Sequence, residues 1–165
     1  MNSTHDSQPD NTDAQLPPDL YPIRLQGPWE IAAADAVGVL LSHRRIKLPC
    51  RLPAEWSAAT SRIELRRRFH RPTNLDPEEA VVILLPAGCR PLCIALNNLP
   101  CDDQRLLDER VTARVTDLLQ PSNELRIEVS PDDAPSLGAF AAPVLLGVMP
   151  DVDGTWWDEL PRCEG

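Results

Sequence analysis

Hydrophobic and polar residues alternate most strictly from Glu124 to Val129. Leu125, Ile127 and Val129 fall on one side, and Glu124, Arg126 and Glu128 on the other. A period of two marks a strand with one face buried and one in water. Upstream, Val111, Ala113 and Val115 alternate with Thr112, Arg114 and Thr116 in the same phase. Between the runs, Asp117–Gln120 has room for one tight helical turn, and Pro121-Ser122-Asn123 for a reverse turn. Strand, short turn, strand is the arrangement of an antiparallel sheet.

Residues 1–21 are polar and aperiodic and read as a flexible tail. Ile23 and Leu25, then Trp29 and Ile31, predict an opening strand with a bend at Gly27. Ala32–Leu41 is the one segment with short-helix character; Gly38 and the valines weaken it, so strand or loop stays open. Arg45–Pro49 is a short strand closed by proline, and Trp56 pins the loop after it. Ser61–Pro72 is a long strand whose outer face carries Arg62, Glu64, Arg66, Arg68 and His70. Arg67 falls in phase with Ile63, Leu65 and Phe69, and needs a buried acceptor or a route to the rim. Ala80–Pro86 is a continuous apolar run suited to the middle of a sandwich. Leu92–Leu96 is a strand ending at Asn97-Asn98, a dipeptide that tolerates positive φ. Pro143–Met149 is the last strand. Closely spaced short strands without a strong helix predict an all-β antiparallel sandwich over 22–149, with an acidic, tryptophan-containing tail over 150–165.

Hydrophobic residues make up 42% of the 165, enough for a core, but aromatics are only 4%, so aliphatic side chains must fill it. A net charge of −9 argues against nucleic acid or an anionic membrane surface as partner. No stretch approaches the roughly 18 apolar residues that cross a bilayer as a helix. The polar start has no secretory pattern, and five cysteines do not make a disulfide framework, which points to a cytoplasmic location.

Six landmarks in order resemble the amino-terminal sugar-binding domain of family-2 glycoside hydrolases (β-galactosidase, β-glucuronidase and β-mannosidase relatives). They are Leu25-Gln26-Gly27-Pro28-Trp29; Leu48-Pro49 with Trp56; Arg66-Arg67-Arg68-Phe69 with Pro72; Leu96-Asn97-Asn98; Val115–Leu119; and Pro121–Leu125. The resemblance implies a jelly-roll, galactose-binding-like sandwich. It also implies that the hydrolase's catalytic residues belong to a separate barrel, for which 165 residues have no room. Asn98 stands where that family has glycine, and the loop after it lacks the family's glycine-rich aromatic stretch.

No carboxylate pair in the sequence is singled out for glycoside hydrolysis. Cys89 and Cys93 lie roughly 13 Å apart on an extended strand, too far for one zinc ion, and the cysteines read as buried thiols. His5, His43 and His70 lie far apart and support no triad. Asp151-Val152-Asp153-Gly154 resembles the start of a calcium loop but lacks its later ligands; no metal or cofactor is expected. Trp156-Trp157, beside Asp158 and Glu159, offers a stacking surface for a sugar ring or, alternatively, a lid over a sheet edge. The expected function is therefore a non-catalytic module that binds carbohydrate weakly through Asn97, Asn98, Trp156 and Trp157. The alternatives are a protein-interaction sandwich without sugar binding and an accessory chain to a glycosidase.

Overall fold

The computed structural model describes residues 16–50, 60–131, 142–151 and 154–163. Trp56, His5 and Asp153 lie outside them. Among the described residues, eleven strands run in order: β1 (Tyr21–Arg24), β2 (Trp29–Ala34), β3 (Leu40–Ile46), β4 (Arg62–His70), β5 (Glu79–Leu84), β6 (Pro91–Leu96), β7 (Leu99–Pro100), β8 (Gln104–Leu107), β9 (Arg110–Arg114), β10 (Ser122–Val129) and β11 (Leu145–Pro150). A 3-10 turn, Thr116–Leu118, separates β9 from β10, and one α-helix, α1 (Thr155–Glu159), follows β11. The strands form two antiparallel sheets, β1-β11-β5-β9-β8 and β3-β2-β4-β10-β6-β7, packed as a jelly-roll sandwich.

The segment with helical character resolves as a hairpin. β2 ends at Ala34, and Asp35 Oδ1 accepts the amides of Val37 and Val39 across the turn. β3 then returns paired with β2. Gly38, at φ +83°, and the β-branched valines suit this turn and strand better than a helix. At Gly27 a Cβ would lie 3.1 Å from the Ile46 carbonyl oxygen, which is why the bend there needs glycine. Trp29 is fully buried and donates its indole N–H to the Leu25 carbonyl at 2.6 Å.

Between the sheets, Ile31, Ile63, Leu65, Leu125 and Ile127 of one layer meet Val81, Ile83, Val111, Ala113 and Leu146 of the other. A second, smaller core covers the outer face of the five-stranded sheet. Val82, Leu84, Leu145 and Met149 pack there under Leu20 and Trp157. β5 is therefore buried on both faces, the physical reason for its unbroken apolar run. Leu20, and Trp157 of the carboxy-terminal segment, are both fixed parts of this packing.

The outer face of the six-stranded sheet is charged. Register places Glu64 opposite Glu128 and Arg66 opposite Arg126, like charges that repel across strands. Offset pairs compensate: Arg66–Glu64 at 2.6 Å, Arg62–Glu128 at 3.6 Å, and Arg126 at 3.9 Å from both Glu64 and Glu128.

Candidate functional site

Asn97 and Asn98 form the turn between β6 and β7, both with positive φ (54° and 66°), as a two-residue hairpin with right-handed twist requires. The Asn97 side chain is fully engaged within the protein. Its Nδ2 donates to the Leu118 carbonyl (2.9 Å) and to Asn123 Oδ1 (3.0 Å), and its Oδ1 accepts the Glu124 amide (3.0 Å). Buried Asn123 in turn accepts the Gln120 amide (2.8 Å) and donates to the Gln120 carbonyl (2.7 Å). This network ties the end of β6 to the 3-10 turn and the start of β10. Asn98 is exposed.

The two tryptophans sit on α1, over the five-stranded sheet. Trp157 is 2% exposed, donates its indole N–H to Asp103 Oδ2 at 2.7 Å, and lies 5.8 Å from the Arg105 guanidinium. Trp156 meets it edge-on at 5.5 Å between ring centres and is half-buried, its indole N–H enclosed without a partner among the described residues. Arg105 is itself buried. Its Nε is 3.0 Å from Asp103 Oδ1, an ion-pair distance outside hydrogen-bond angles, and its Nη1 donates to the Leu160 carbonyl at 3.3 Å. The hydrogen bond from Trp157, then the charge of Arg105, hold the Asp103 carboxyl below the usual carboxylate range. The structure thus brings Asn97 together with Asn98, and Trp156 with Trp157, but the pairs belong to different sheets. The Trp157 face is a packing surface against the outer face of the five-stranded sheet.

Asp151 pairs with a guanidinium: Arg114 Nη2 is 2.8 Å from its Oδ2, and the Asp151 side chain is 4% exposed. Its Oδ2 is thus committed to Arg114, while its Oδ1 is enclosed without a hydrogen-bond partner among the described residues. Among the described residues, no three His, Cys, Asp or Glu side chains gather as a metal ion would need.

An open groove of about 930 Å³ runs along the sandwich edge, between the start of β6, β8, and the segment Pro161–Cys163. That segment adds to the β8 edge: Leu106 N–H donates to the Pro161 carbonyl (2.8 Å), and Cys163 N–H to the Gln104 carbonyl (3.1 Å). Leu92, 57% exposed, and Leu106, 37% exposed, present aliphatic surface to the groove, with Arg90, Asp102, Glu109 and Arg162 around them. Among the described residues, no aromatic side chain lines it. Leu92 keeps the apolar phase of Ile94 and Leu96 but falls at a bulge, since β10 pairs Glu128 with Cys93 and Val129 with Pro91 and leaves Leu92 with no opposite residue. Alternation alone therefore could not distinguish it from core. The two thiols of the groove, Cys89 and Cys163, are raised by burial, Cys89 to about 12, so both remain protonated near neutral pH.

No family model matches the chain, and no curated protein matches it. Solved structures do. The FMN-binding β-glucuronidase of Faecalibacterium prausnitzii L2-6 is similar with a TM-score of 0.60 at 20% identity, over 80% of this chain and 23% of that one. The Bifidobacterium dentium β-glucuronidase complexed with coumarin-3-O-glucuronide gives 0.59 at 16% identity, over 82% and 31%. That of Dictyoglomus thermophilum gives 0.58 at 12%, over 82% and 29%. The chain has the fold of a β-sandwich portion of these β-glucuronidases, as its sequence landmarks imply, and spans 23–31% of their length.

Proposed function

We propose that this chain is a non-catalytic sandwich module that binds another protein, its fold shared with a portion of β-glucuronidases. One observation carries the reading: the edge groove of about 930 Å³ is lined by aliphatic and charged side chains and, among the described residues, by no aromatic ring. Sugar rings are held by flat aromatic faces and converging polar groups, whereas exposed aliphatic surface flanked by charge suits a polypeptide. The acids support the non-catalytic part. Glu30, Glu64, Glu124, Glu128, Asp103 and Asp151 all stand in ion pairs with arginines, and Asp102 and Glu109 are exposed turn residues rather than a shielded pair.

The second reading, weak carbohydrate binding through Asn97, Asn98, Trp156 and Trp157, is supported by the shared fold and by the exposure of Asn98. Tryptophan fluorescence titrated with galactosides, glucuronides and mannosides separates the two. A flat response up to about 10 mM, weaker than roughly 3 kcal/mol of binding, keeps the protein-binding reading. Saturable quenching that is lost in Trp156→Ala would replace it with the carbohydrate reading. Turnover of nitrophenyl glycosides by the purified chain would overturn the non-catalytic part.

A further inference from the structure

The β2–β4 ladder ends at Glu30 and Arg66, because the chain turns away through Gly27 and Pro28. β4 continues to His70 beside β10. The gap on its β2 side is a recess of about 200 Å³, lined by Arg45, Arg66, Arg67 and Arg68 with Pro28, Glu30 and Glu124. Three of the four cations have a carboxylate: Arg45 with Glu30 at 3.6 Å, Arg66 with Glu64 at 2.6 Å, and Arg68 with Glu124 at 3.1 Å. Arg67 has none among the described residues. Its Nη1 donates to the Pro28 carbonyl at 3.1 Å, and its Nε–H is enclosed without an acceptor.

A solvated ladder of paired charges would leave each guanidinium either matched or in water. Arg67 is half-buried, and its enclosed Nε–H is neither. Its inward phase carries that group into the recess at the point where the sheet opens, where the carboxylates of Glu30 and Glu124 are engaged by Arg45 and Arg68. Desolvation lowers its pKa, as expected where nothing offsets its charge. Among the described residues, the lining carries four arginines and two glutamates, an excess of positive charge in a concavity several water molecules in size. The fork of N–H groups on arginine matches planar or tetrahedral oxyanions.

We propose that this recess is an oxyanion site, taking the carboxylate or phosphate group of a small molecule, with Arg67 as its central donor and Arg45 at its rim. The reading is independent of the edge groove and of any sugar binding. Its test follows the arginine Nε–H resonances of the whole chain by NMR, during titration with sodium phosphate or sodium acetate at ionic strength held constant with sodium chloride. The expected result is a saturable shift of the Arg67 signal, half complete below about 10 mM, and the anion that saturates identifies the group. Arg67→Met should abolish saturation in the neighbouring arginines. Arg45→Gln, at a side chain 75% exposed and so without threat to folding, should weaken it at least about threefold. Arg62→Gln, outside the recess, should leave it unchanged. Neither anion saturating, or saturation that survives both Arg67→Met and Arg45→Gln, would overturn the site. If Arg67→Met does not fold, the Arg45→Gln comparison decides.

Discussion

Trp157 donates its indole N–H to Asp103 at 2.7 Å, and through that bond the carboxy-terminal helix is fixed to the entrance of β8. The same carboxylate meets Arg105, whose buried side chain reaches the Leu160 carbonyl at the end of α1. The Asp103 carboxyl is held below its ordinary value. Its contribution to stability is therefore present above the unfolded value of about 3.9 and is lost as pH falls through the lower folded value. Because the Asp103 side chain is 56% exposed, the effect is expected to stay under about 1 kcal/mol. Urea unfolding followed by tryptophan emission at neutral pH and near pH 3 should show a smaller loss in Asp103→Asn than in the wild type. Equal losses would mean that the ionised carboxylate does not hold the helix.

Gly147 lies beneath that same layer. A Cβ there would be 2.8 Å from Leu84 Cδ1, 3.0 Å from Leu20 Cδ1 and 3.1 Å from Val82 Cγ2. Since three side chains of one small core would have to give way together, Gly147→Ala is expected to destabilise by about 1–3 kcal/mol. Chemical denaturation measures this. An unchanged midpoint would show that Leu20 and α1 pack loosely over the sheet.

The Asn123 amide satisfies both main-chain groups of Gln120 and one donor of Asn97. Asn123→Ala leaves these groups without partners in a site 2% exposed, at an expected cost of about 2–3 kcal/mol. Hydrogen exchange should then rise locally at Gln120 and Asn97. If it rises uniformly instead, the network acts on the whole sandwich and does not merely pin the turn.

What could be read in the sequence followed from alternation. β4, β6, β9 and β10, the turn at Asn97-Asn98 and the burial of Trp29 all rest on period-two patterning or on residues with restricted backbone preferences. The hairpin after Ala34 was ambiguous because alanine and leucine serve helix and strand alike, and only Gly38 argued for the turn. The site was less legible, since it depends on contacts distant in sequence. Nothing around Trp157 announces Asp103, and nothing around Leu92 announces the bulge that takes it out of register with β10. Arg67 is the intermediate case: its inward phase showed that it needed an acceptor, but not that Pro28 would provide one.

Burial lifts Cys89 to about 12 and Cys101 to about 11, and thiol reagents attack the thiolate. In the native protein at pH 8, both are expected to resist an aromatic disulfide reagent and to react only on unfolding. Mass mapping of the labelled peptides checks it. Prompt labelling of Cys89 would show that the edge groove opens to that depth in solution.

Asp151 and Arg114 join the ends of β11 and β9 at 2.8 Å, with the carboxylate almost wholly enclosed. Removing one partner leaves a charge in low dielectric, whereas removing both does not. Asp151→Ala is therefore expected to destabilise by about 2–4 kcal/mol, tempered from the fully buried case because Arg114 is one-third exposed. The double variant Asp151→Ala/Arg114→Met should recover part of that loss, giving a coupling energy of about 1 kcal/mol or more in a double-mutant cycle. Millimolar calcium should leave the wild-type midpoint unchanged, because a ligand that binds the folded state must raise it and the Asp151 carboxylate already has its cation. Additive single-variant losses would mean that the pair is geometrically close but energetically uncoupled. A calcium-dependent rise in the midpoint that Asp151→Ala abolishes would instead restore the calcium-loop reading of residues 151–154.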